Sequence, residues 1–126
     1  MKKLIGSLVV SGILLVAFQS FILKPDSNSG SQDEVKEILK NSCYGCHSNE
    51  SSNKKGMEAL NFDQFDGLKA TKKISKLDAV NEVVTEGKMP PEKFLKGNPD
   101  KALSDEQKTL LGKWAVEESE KLMNGN

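Results

Sequence analysis

Apolar residues fall along this chain in two regimes. From Leu4 to Leu23 they form a nearly continuous run, interrupted by Gly6, Ser7, Ser11, Gly12, Gln19 and Ser20. From Ser31 onward they are sparse and recur at helical spacing. Val35, Ile38 and Leu39 predict a first helix over 32–42, with Ser31 as its N-cap and Asp33 and Glu34 in its first turn. A polar loop follows, Ser48 to Gly56. Leu60-Asn61-Phe62-Asp63 then leads into a second helix that runs to about Lys72. Leu77, Val80 and Val84 share one face of a third helix over Lys76 to Glu86, and Gly87 stands where a left-handed cap would fall. Lys88-Met89-Pro90-Pro91 cannot continue it, because proline removes donors and restricts the residue before it. Glu92 to Ala102, with Gly97 and Pro99, reads as a loop.

The last helix is the best signposted. Ser104-Asp105-Glu106-Gln107 reads as a capping box, and the helix carries Leu110, Leu111, Trp114 and Leu122 to an end near Met123. No alternating strand pattern and no internal repeat is present. The expected fold is an all-α domain of about four short helices over 32–126.

The long apolar run has a different meaning. Behind Met1-Lys2-Lys3, residues 4–23 are long enough to span a bilayer as a helix, which needs about 20 residues. Residues 1–24 are therefore expected to be an uncleaved membrane anchor, with a cleaved signal peptide as the alternative. Either places the rest of the chain outside the cytoplasm, on the periplasmic side. No cysteine lies here to carry a lipid. Residues 25–31, PDSNSGS, read as a flexible linker.

Charge excludes one class of partner. Lysines and carboxylates balance at 18 each, and arginine is absent, so nothing marks a nucleic-acid-binding face. Lys69, Lys72, Lys73 and Lys76 would share a helix face, and more often such a stripe is simply solvated than used for docking. The helical domain is also poor in apolar residues for its size, which leaves a marginal core. A large apolar cofactor would complete it, and the cofactor-free chain is expected to be largely unfolded.

The chemistry is concentrated in Cys43-Tyr44-Gly45-Cys46-His47. These hold both cysteines and the only histidine of the chain. C-x-x-C-H is the attachment signature of c-type haem. Each thiol can add to one haem vinyl group, and the adjacent histidine can reach the iron on one face of the ring. Gly45 is expected to let the backbone turn there without a clash. Three other uses compete. A redox dithiol uses C-x-x-C but lacks its βα context here and leaves His47 unexplained, a zinc site needs a fourth ligand, and an incidental disulfide is the third. For the sixth ligand, Met89 is the candidate. Met1 precedes the membrane segment, Met57 follows His47 too soon, and Met123 lies in a terminal turn. Pro90 and Pro91 clamp Met89, though it could instead fill a core gap, with water or a lysine such as Lys88 on the iron.

Taken together, C-Y-G-C-H, a later M-P-P and a final helix opened by L-S-D-E-Q and bearing Trp114 resemble a small class I cytochrome c. More narrowly, Ile38–Glu50, Leu60–Phe62, Gly87–Pro91 and Leu103–Glu106 resemble bacterial membrane-anchored monohaem proteins with a haem-binding domain. The likeness spans roughly 33–120. It implies one haem c held by Cys43 and Cys46, with His47 and Met89 axial. One departure stands out. Where many such domains carry a Trp/Tyr-rich stretch after the haem motif, this chain has Ser51-Ser52-Asn53-Lys54-Lys55-Gly56.

The function expected is one-electron transfer outside the cytoplasm, to and from redox partner proteins of an electron-transfer chain. A ligand-binding or sensing haem with a displaceable sixth ligand is the alternative. An enzyme is not expected, because the only histidine is already spent beside the iron and none is left as a distal base.

Overall fold

The computed structural model describes residues 28–125, and the expected anchor over 4–23 lies outside them. Among the described residues no helix is long and apolar enough to cross a membrane. They form six α-helices and no strand: α1 (Asn28–Ser42), α2 (Lys54–Ala59), α3 (Phe62–Phe65), α4 (Ala70–Thr85), α5 (Glu92–Leu95) and α6 (Asp105–Met123). A 3-10 turn, Pro99–Lys101, lies between the last two.

The long helices follow their apolar periodicity. Helix α4 packs along α6, and α1 crosses α6. Val35, Ile38 and Leu39 of α1 meet Leu77, Val80 and Val84 of α4 and Leu111 and Ala115 of α6 in one core. Leu111 is fully buried and Leu77 nearly so. Side chains of this kind contribute about 1.5–3 kcal/mol each when fully buried. At the crossing of α4 and α6, Gly112 lets the backbones approach. A Cβ there would stand 2.9 Å from Asn81 Oδ1 and 3.4 Å from Thr85 Oγ1. Gln32 of α1 donates to Glu118 of α6 at 3.0 Å and ties the pair at its far end.

Two helix ends behave as the sequence predicts. Ser104 caps α6 through the Gln107 amide at 3.2 Å, and the Gln107 side chain accepts from the Ser104 amide at 3.0 Å, completing the capping box. At the end of α4, Gly87 has φ of 68°. Its amide donates to Val84 O at 3.1 Å and the Lys88 amide to Val83 O at 2.8 Å. This is the Schellman pattern that a left-handed glycine permits.

Other boundaries differ from expectation. Helix α1 begins at Asn28, so Ser31 lies inside it and is not its N-cap. The expected second and third helices are divided in a different place. The chain breaks at Asp66–Lys69, next to Gly67, and one continuous helix then runs from Ala70 through the expected gap at 73–75. The Lys69 carbonyl starts it by accepting from the Lys72 and Lys73 amides. The polar stretch expected to be a loop contains α2, and the Glu92–Ala102 loop contains α5 and the 3-10 turn. Helices of four to six residues are too short to show a 3.6-residue period.

Candidate functional site

The last turn of α1 delivers the cysteine motif. The Cys43 and Tyr44 amides both donate to Leu39 O, and the Cys46 and His47 amides to Cys43 O. The chain thus keeps winding past Ser42, and Cys43 and His47 fall one turn apart. Both line a cleft with two lobes. The outer lobe, about 270 Å³, includes Cys43, Cys46, His47, Met89, Pro91 and Phe94. The inner lobe, about 140 Å³, includes Cys43, His47, Leu60, Val80, Met89 and Leu111. Cys43, His47, Ala59 and Met89 are common to both. The inner lobe therefore opens directly onto the core, and its wall is made by α4 and α6.

His47 is held by backbone. Its Nδ1 lies 2.9 Å from Gly56 O and 2.9 Å from Leu60 O. Carbonyl oxygens only accept, so Nδ1 carries the hydrogen, and in the neutral ring the lone pair is on Nε2. That tautomer is the one a metal-ligating histidine needs, with its second nitrogen fixed by an outer partner. The His47 carbonyl accepts from the Phe62 amide at 2.9 Å, and the Phe62 ring meets the imidazole edge-on at 77°. Tyr44 stacks on Phe62, 5.3 Å between centroids.

The residues that achieve this were not singled out by sequence. Asn53 caps α2, its side chain accepting from the Gly56 amide at 3.0 Å. Gly56 is buried where a Cβ would stand 2.4 Å from Cys46 O. Only glycine lets α2 come close enough for the Gly56 carbonyl to reach His47. Gly45, the glycine inside the motif, has open space around its Cβ position and no left-handed backbone, contrary to the role expected of it. Asn61 is buried, accepts from the Asp63 amide to cap α3, and donates to Asn49 Oδ1 at 2.8 Å. The signal available in the sequence was the pair of asparagines at 53 and 61, each a strong N-cap residue.

Met89 reaches the cleft from the opposite side. Its amide donates to Val83 O at 3.2 Å, beside the Lys88 amide, so the cap of α4 sets its place. The Met89-Pro90 bond is cis, and Pro90 is buried. Lys88 is exposed and pairs with Glu86 rather than lining the cleft. Met57 and Met123 line neither lobe.

The competing uses of the cysteines fit less well. Both are free thiols. Burial, with Cys46 beside it, pushes the Cys43 thiol up to about 11. A protonated thiol at neutral pH is the reverse of what a redox dithiol's attacking cysteine requires. Among the described residues no group of three or more His, Cys, Asp or Glu side chains gathers as a metal site. A haem suits the donor set: two thiols, one imidazole with Nε2 available, one thioether, and apolar walls between them.

The lysine stripe is partly engaged. Lys73 lies over the Phe65 ring, 5.7 Å from its centroid, and Lys76 Nζ donates to the Ala59 carbonyl.

No curated protein and no solved structure gives a significant match to the chain. The model of a family described as haem-binding domain matches residues 53–117. That span holds α2, Gly56, Leu60, Met89, α4 and the first two-thirds of α6 but starts after His47, so the match does not rest on the cysteine motif. The chain belongs to the haem-binding domain family, and its cofactor is haem.

Proposed function

We propose that the protein is a monohaem c-type cytochrome of class I character that carries single electrons outside the cytoplasm, held at the membrane by residues 4–23. Cys43 and Cys46 would hold the haem through thioether links, and His47 Nε2 and the Met89 sulfur would hold its iron. The observation that carries this reading is the convergence of Cys43, His47 and Met89 on both lobes of one cleft, although Met89 arrives from the far end of α4. Bound there, haem supplies an iron that takes up and releases one electron.

The chain's own residues do the rest. Gly56 and Leu60 carbonyls orient His47 and raise its basicity as a ligand. Val80, Val84 and Leu111 keep water from the inner lobe. The cap at Gly87 holds Met89 in place. If His47 and Met89 both hold the iron, they would leave no open position for a substrate, which favours a carrier over an enzyme. The partners are redox proteins that approach the exposed rim formed by Asn53, Lys55 and Pro91.

The test is spectroscopic. Haem should stay with the chain on a denaturing gel, and the protein should titrate as a reversible one-electron couple. The oxidised form should show a weak red-edge band, lost in Met89→Ala. The reduced wild type should bind carbon monoxide slowly, and Met89→Ala quickly. Fast binding by the wild type would favour a ligand-sensing haem instead.

A further inference from the structure

The walls of the cleft carry one sign of charge. The titratable side chains lining the two lobes are Cys43, Cys46, His47, Lys55 and Lys76, with no carboxylate among them. Haem brings two carboxylates of its own. A carboxylate placed against a largely apolar wall is costly unless a cation or hydrogen-bond donor meets it. We propose that Lys55 and Lys76 are the cationic anchors for the carboxylates of the haem bound in this cleft.

Their placement supports a shared role. Lys55 and Ala59 are four residues apart on α2 and so lie on one face of it. Lys76, one helix away on α4, donates from Nζ to the Ala59 carbonyl. Both residues therefore border the cleft beside the same short stretch of α2, Lys55 lining the outer lobe and Lys76 the inner. Neither forms an ion pair with a described residue, so no carboxylate of the fold competes for either ammonium. Lys76 keeps two of its three N–H donors free after serving Ala59. Its half-buried position also makes a pair there less screened than one at the open surface.

The proposal rests on the haem reading of the cleft, and the experiment separates the two. Lys55→Gln/Lys76→Gln, Lys76→Gln, Lys76→Arg and Lys113→Gln are compared with wild type in the full-length holoprotein. Lys113 sits on α6, paired with Glu117, and lines neither lobe. Covalent haem content and the absorption spectrum are recorded first, then the reduction potential across pH. With the carboxylates unpaired, their negative charge favours the oxidised iron, and they take up protons in the weakly acidic range. The double substitution should keep its haem, lower the potential and add a pH-dependent segment that wild type lacks. Lys76→Gln should shift the potential the same way by a smaller amount, and Lys76→Arg should restore it. If the double substitution fails to assemble, Lys76→Gln alone must show that shift. An unchanged potential at every pH, or an equal shift from Lys113→Gln, overturns the anchoring role. A wild-type chain that takes up no covalent haem overturns the earlier reading instead.

Discussion

Gly56 in α2 and Gly112 in α6 are both buried, both helical, and both sit where a Cβ would collide. What they would collide with differs. At Gly56 the obstacle is the Cys46 carbonyl oxygen, 2.4 Å away. At Gly112 it is the tip of the Asn81 side chain, 2.9 Å away. A side chain can rotate aside. A carbonyl can move only if its peptide moves, and here that peptide joins Cys46 to His47. The α4–α6 crossing is thus a packed interface with slack. The α2 contact is a backbone clamp without it, and the histidine depends on the clamp.

The same substitution at the two sites breaks or upholds this contrast. Gly56→Ala should cost about 3 kcal/mol, the upper end for overpacking a filled site. It should also push α2 off the motif, so the holoprotein should show altered haem bands and a lower unfolding midpoint in urea. Asn53→Ala loosens the clamp without a clash. It should cost about 1 kcal/mol, as loss of an N-cap does, and broaden the signals of His47 before those of the core. Gly112→Ala loses some fit at Asn81 but gains up to about 1 kcal/mol of helix propensity. Its midpoint should move little and its haem spectrum not at all. A Gly112→Ala chain as damaged as Gly56→Ala would show that the two interfaces are equally rigid.

The smallest effect concerns the far end of the core. Partial burial opposes ionisation of Glu118, but hydrogen bonds from Lys121 and Gln32 outweigh it and hold its carboxyl below the ordinary value. A lowered carboxyl stabilises the fold above its unfolded pKa, and that contribution is lost as pH falls through the folded value. Glu118→Gln should therefore lower the urea midpoint slightly near neutrality. The difference should fade as pH falls below the ordinary carboxylate range and through the lowered folded value. The haem bands should be the same in both, since Glu118 lines neither lobe.

Much of the frame is legible in the sequence. Val35, Ile38, Leu39, Leu77, Val80, Val84 and Leu111 declare themselves by period, and all are buried. The Ser104 capping box and the Gly87 cap follow from residue type at fixed offsets. The cysteine motif and Met89 could be picked out because the chain holds so few histidines, cysteines and methionines. Helix α2 could not. Its residues, KKGMEA, carry neither a period nor strong apolar content. It is helical because Asn53 caps it and because His47 engages its carbonyl from elsewhere in the chain. Its place inside the motif suggests a steric role for Gly45. The close approach actually falls on Gly56, a relation between segments that no local pattern records.

Met89 is tied to the end of α4, while His47 is tied to the turn around α2. In the proposed ligation these two ends meet on one iron, so residues 47–89 become a closed ring of chain containing α2, α3 and α4. A permanent link across a loop of that length would remove about 4 kcal/mol of unfolded-state freedom by the chain-entropy estimate. A coordinate bond from the Met89 sulfur to iron is weaker than a disulfide and can let go. Stability of the α2–α4 half would then follow the metal's grip on one sulfur.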